Sequence, residues 1–149
     1  MSSWLRTVVP DLFLASVVAL LVTVAMVQLD ETESTRIRVD AQEAAADGLT
    51  LDERIEVYQE SIRRSVLLHL PLLVAAAGAL IGLFSRNRSW SWLTAIGAAL
   101  PAIIMGIAFF IDRPLPAGAV LISYTAIASS MSLVALTLRQ RLIPAEITR

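Results

Sequence analysis

The sequence predicts an all-α integral membrane protein with four spans and an extramembrane helical hairpin between spans 1 and 2. Three observations predict it. Apolar residues make up 56% of the chain and charged residues 17%, with a mean hydropathy of +0.70. A soluble domain of this size carries more charge. The charges also fall into a few clusters separated by long uncharged runs, the pattern of a multi-pass chain. Finally, residues 50–84 run from a charged half straight into an apolar half with no glycine or proline before Pro71. As one helix this stretch is roughly 50 Å long, more than the hydrocarbon core of about 30 Å. It must therefore begin in water and enter the membrane. All 149 residues read as a single membrane domain.

Span 1 is predicted at 12–29, introduced by Pro10 and Asp11 as a helix start, with proline in the first turn and an acid near the positive end of the dipole. Ahead of it stand Trp4, suited to the headgroup region, and Arg6. No small-residue cleavage site follows the apolar run, so it reads as a span and not as a cleaved signal peptide. The segment 30–65 is the only sizeable polar stretch. Helix 1 is free of proline and glycine up to Asp47 and is able to continue outward, with the weak helix formers at 31–35 as the place where it would break. Asp47 and Gly48 signal a turn. Thr50 and Glu53 then form a capping box, and the chain re-enters helix. On this second arm Leu51, Ile55, Tyr58 and Ile62 fall on one apolar stripe that needs a partner.

Span 2 is predicted at 66–84, kinked at Pro71. Ala75, Gly78, Ala79 and Gly82 recur at four-residue spacing, which lets helices approach closely in lipid. A short basic turn at 85–89 leads to Trp90 and Trp92 at an interface. Span 3 is predicted at 90–111, interrupted by Pro101, with Ala98, Ala102 and Gly106 as a second small-residue stripe. The prolines of 112–118 stiffen a tight loop. Span 4 is predicted at 119–138. It is rich in hydroxyls, and Ser123, Tyr124, Ser129 and Ser130 are the candidates for a polar path. Arginines on the span-flanking short segments favour both termini in the cytoplasm and the 30–65 hairpin outside, in a plasma or inner membrane.

Chemistry is sparse. The net charge of −1 gives no basic field for nucleic acid. The absence of cysteine removes disulfides, thiolate catalysis and cysteine-ligated metals. His69 is the sole histidine, one turn into span 2. It is the candidate ligand for a haem or pigment, or a hydrogen-bond partner for a quinone. One histidine and no cysteine cannot supply a zinc site. No catalytic residue and no metal site is assigned. The spans lack internal acids and bases, which argues against ion-coupled transport by a lone subunit.

The stretch 60–71 is similar to the second helix of small four-span enzymes of eicosanoid and glutathione metabolism at Arg63, Arg64 and Pro71. Leu68 stands where that family carries glutamate, and its asparagine has no counterpart here. What the resemblance implies is an enzyme acting on a lipid or a thiol cofactor. Three expectations follow. The first is a non-catalytic subunit that packs laterally among membrane lipids, in a complex with other membrane subunits or with copies of itself. The second is a homo-oligomeric channel or solute transporter lined by the span-4 hydroxyls. The third is the small membrane enzyme.

Overall fold

The computed structural model describes residues 3–46, 48, 50–85, 88–110 and 117–142. Four helices account for nearly all of them: α1 (Ser3–Ala46), α2 (Leu51–Phe84), α3 (Ser91–Phe110) and α4 (Ala117–Leu142). All four contain a stretch long and apolar enough to cross a membrane. The outward-facing side chains include Leu12, Phe13, Leu20, Leu72, Phe84, Ile104 and Ile122, each more than half exposed. A surface this apolar is suited to lipid.

Helix lengths separate the elements into two kinds. At about 1.5 Å per residue, α3 with 20 residues matches a hydrocarbon core of about 30 Å. The 44 residues of α1 and the 34 of α2 overshoot it, at about 66 Å and 51 Å. Their polar halves meet at a short turn where Gly48 takes φ +74°, a left-handed conformation that glycine adopts without strain.

The helix boundaries differ from the sequence expectation in several places. Helix α1 starts by Ser3, so Pro10 lies inside it and not at its start. The missing amide falls close to the helix end, where a carbonyl one turn back can reach water or headgroups. Nor does α1 break at 31–35. The hydroxyls of Thr32 and Thr35 donate to the carbonyls of Gln28 and Glu31 at 2.8 and 2.9 Å, so they are paired without the backbone leaving the helix. Helices α2 and α3 run on through Pro71 and Pro101, as proline permits in membrane helices whose neighbours re-satisfy the backbone. Helix α4 extends beyond the predicted span at both ends, to Ala117 and Leu142. The loop at 112–116, Arg86 and Asn87 of the basic turn, and the tail from residue 143 lie outside the described residues.

The bundle is built on the α2–α3 pair. Helices α1 and α4 both pack on it, and among the described residues they do not touch each other. The core is made of Val74, Ala77, Ile81, Ala95, Ala98, Ala99, Ala102, Ile103 and Ala128, all at 0–1% exposure. Helix α1 contributes only a narrow stripe, Val18 and Val22, backed by Leu14, Ala15 and Met26. Of its apolar stretch 11% is buried, against 33–39% for the other three, so α1 is the peripheral helix.

Candidate functional site

Helices α2 and α4 approach each other closely at two glycines of α2. A methyl group placed on Gly78 would collide with the carbonyl of Ala128, and one on Gly82 with the carbonyl of Ser132 and the side chain of Ala135. Glycine thus faces carbonyl at both positions. The step of four residues is the same on both helices and in the same direction, so α2 and α4 run parallel. Gly78-x-x-x-Gly82 lies against Ala128-x-x-x-Ser132. The glycine hydrogens that take the place of a methyl point at these carbonyls, the arrangement of weak Cα–H···O contacts at helix interfaces. Helix α3 also comes close to α4, where Gly106 faces side chains, the ring of Tyr124 and Val120, and no carbonyl. Ala98 and Ala102 are fully buried, whereas Ala75 and Ala79 lie on a half-buried face of α2. The small-residue faces of Gly78, Gly82, Ala98, Ala102 and Gly106 are therefore occupied inside one chain.

The four hydroxyl residues chosen on α4 point in different directions. Tyr124 is buried beneath Gly106. Ser123 and Ser130 are exposed on the bundle exterior. Ser129 donates to the carbonyl of Thr125 at 2.7 Å, a bond within its own helix. Thr125 and Thr137 are back-bonded in the same way. No single face collects them, because a helix turns 100° per residue and positions 123–130 sweep its whole circumference. The hydroxyl that does enter the core is Ser132, at 0% exposure and with no hydrogen-bond partner for its Oγ. The signal for it was the pairing of Ala128 with Ser132 at four-residue spacing, a counterpart to the glycine pair of α2.

His69 is half-buried on α2, next to the buried Leu70 and beyond the exposed Leu67 and Leu68. Among the described residues no three histidine or acidic side chains stand close enough to hold a metal ion. On the polar arms the capping box forms. The Thr50 amide and hydroxyl both donate to the Glu53 carboxylate at 2.8 Å. These two bonds favour the charged form and hold the Glu53 carboxyl below its usual range. Of the apolar stripe, Ile55 is 47% exposed, as is Val39 on the opposite arm. The side chains of Leu51, Tyr58 and Ile62 lie outside the described residues.

One end of the bundle gathers polar groups. The Arg139 guanidinium donates to the Ser85 carbonyl at 3.0 Å, tying the end of α4 to the end of α2 across the parallel seam. A cation at a helix C-terminus is favourable there. Ser91 opens α3 fully buried and donates to the Arg88 carbonyl at 3.2 Å. Trp90 and Trp92 stand half-exposed beside it, and the Trp92 indole donates to the Ser89 carbonyl at 3.1 Å. Tryptophan with arginine at the end of apolar helices is the composition of a membrane–water boundary. The chain matches no known protein family, no curated protein and no solved structure.

Proposed function

We propose that the chain is a non-catalytic integral membrane subunit that docks laterally on a larger membrane protein or on a second copy of itself. The polar ends of α1 and α2 would project from the membrane as an extramembrane helical hairpin, outside the cell, with both termini in the cytoplasm. The observation that carries the reading is the overshoot of α1 and α2. Both run some 15 residues past their apolar stretches, by about 20–25 Å, and among the described residues they present Val39 and Ile55 half-exposed. An isolated two-helix projection of this kind gains little from its own packing. Covering its apolar residues with a partner supplies the missing burial. The small-residue faces of Gly78, Gly82, Ala98, Ala102 and Gly106 are used between α2, α3 and α4. The lateral surface is therefore assigned to the arms and to the peripheral α1, whose outer face carries Leu12, Phe13, Leu20 and Leu21.

The chain has no cysteine, so single-cysteine variants report local exposure without background. Val39→Cys and Ile55→Cys should react with a maleimide more slowly in native membranes than Ser34→Cys and Glu60→Cys, exposed positions about 140° round the same arms. The difference should vanish once the particle is dispersed to monomers in detergent. Equal rates in native membranes would overturn the docking role of the arms, and turnover by an isolated monomer would overturn the non-catalytic one.

A further inference from the structure

The α2–α3 turn and the end of α4 bring two arginines together where two apolar stretches stop. Phe84 is the last residue of the apolar stretch of α2, and Ser91 is the first of that of α3. Between them Arg88 is exposed, and Trp90 and Trp92 stand beside it, half-exposed. The Arg139 guanidinium reaches the same turn from α4, donating to the Ser85 carbonyl at 3.0 Å. Ser85 and Arg88 are three residues apart, so their Cα atoms are separated by about 11 Å at most. That is within the joint reach of two arginine side chains. A guanidinium carries five N–H donors, and the bond to Ser85 uses one of them. Among the described residues neither arginine pairs with an acidic side chain. Asp11, which shares a groove with Phe84, is 6% exposed and has a contact of its own within the chain. At the other end of the apolar stretch of α1 the exposed charges are acidic, Asp30 and Glu31.

We propose that this turn binds the headgroup of an anionic phospholipid, its phosphate between Arg88 and Arg139 and its glycerol end against Trp90 and Trp92. Charge complementarity selects this occupant. Arginines at the end of apolar helices attract anionic lipids, and the guanidinium fork matches a phosphate in shape as well as in charge. A headgroup that also carries an ammonium or a choline brings a positive charge up to the arginines, which offsets part of the attraction. An anionic headgroup brings none. With Asp11 buried, no exposed acid among the described residues reverses the preference at this turn. The Trp92 indole N–H is taken by the Ser89 carbonyl, so its ring serves as an amphipathic wall and not as a donor. The adjoining apolar stretches of α2 and α3 offer acyl chains a surface that a free phosphate ion has no use for, and this fixes the source as a lipid. The turn lies at the opposite end of α2 from the arms, so the proposal stands whether or not the arms dock.

The test is competitive retention by native mass spectrometry of the full chain, released from micelles doped with equal phosphatidylglycerol, phosphatidylethanolamine and phosphatidylcholine. One arginine at an anionic headgroup corresponds to about a fivefold preference. The wild type should therefore keep phosphatidylglycerol about 25-fold over either zwitterionic lipid, and Arg88→Gln about fivefold. Arg88→Gln/Arg139→Gln should show no preference. Arg36→Gln removes an exposed charge from the α1 arm and should retain lipid as the wild type does. Excess inorganic phosphate should leave the lipid in place. Equal retention of the three lipids by the wild type would overturn the proposal. So would a loss in Arg36→Gln as large as in Arg88→Gln, or displacement of the lipid by inorganic phosphate. Arg88 makes no part of the Ser85 contact, so Arg88→Gln and the wild type decide the matter even if loss of Arg139 disturbs the fold.

Discussion

Replacing Gly78 by alanine adds a single methyl group, and the structure makes it an expensive one. The new carbon would meet the carbonyl oxygen, carbonyl carbon and Cα of Ala128. All three are backbone atoms of a helix, so no rotamer change relieves the overlap. The helices must instead separate, by about 1 Å if the methyl is to reach ordinary contact distance. A gap of that size forfeits about a quarter to a half of each dispersion contact along the seam. It also lengthens the Cα–H···O contacts at Gly78 and Gly82. Overpacking of a filled core is worth about 1–3 kcal/mol, and this site belongs at the upper part of that range. Gly97 on α3 is the control, since a methyl there meets nothing within 4 Å. Gly97→Ala should be neutral or stabilising by up to about 1 kcal/mol through helix propensity. Once the seam has opened, a second methyl at Gly82 costs less, so Gly78→Ala/Gly82→Ala should fall short of the sum of its singles. Reversible unfolding in mixed micelles, titrated with SDS, measures all four. If Gly78→Ala proves as stable as Gly97→Ala, the parallel α2–α4 seam is wrong.

Other substitutions probe separate elements. Ser132→Ala removes a buried hydroxyl that has no partner. It should stabilise the bundle by about 1 kcal/mol, since an unsatisfied buried polar group costs about 1–3 kcal/mol, and the same SDS titration reads it. Arg139→Ala removes the guanidinium from the Ser85 carbonyl. It should destabilise by about 1–2 kcal/mol, with Arg139→Lys recovering part of the loss. The Glu53 carboxyl is held below its ordinary value of 4.5 by its bonds to Thr50. A depressed folded-state value means that its stabilisation is complete above the unfolded value and fades as pH falls through the folded one. Amide exchange at Arg54, whose N–H bonds the Thr50 carbonyl, should thus lose relative protection below pH 4.5, and Glu53→Gln should flatten that dependence. Ser123→Leu and Ser130→Leu change exposed positions on α4. They should leave bundle stability within about 0.5 kcal/mol of the wild type; a larger loss would show that these hydroxyls are packed inside the protein.

The spans were legible because hydropathy over some 20 residues is a sum, insensitive to any one side chain. The capping box was legible for the opposite reason, as a local motif that closes within four residues. Tertiary placement was not. Ser129 and Ser130 are neighbours in sequence, yet one bonds its own helix and the other faces outward. A cluster of hydroxyls along the chain is therefore no cluster in space. The stripes of Gly78, Gly82 and Gly106 declared that something must come close, without saying whether it came from the same chain. That answer required Ala128 and Ser132 to be seen as the facing pair. Asp11 read as a helix-start residue because nothing local distinguishes an acid at a cap from one buried within a longer helix. Thr32 and Thr35 read as helix breakers because propensity averages over hydroxyls that do and do not bond back to the preceding turn.

The most direct test of the subunit role is the mass of the intact particle taken from native membranes into nanodiscs without denaturing detergent, with its absorption spectrum recorded alongside. The proposed role predicts a stoichiometric particle well above the 16.1 kDa of one chain, in which Val39→Cys and Ile55→Cys are protected. A lone chain that turns over a substrate by itself would contradict it.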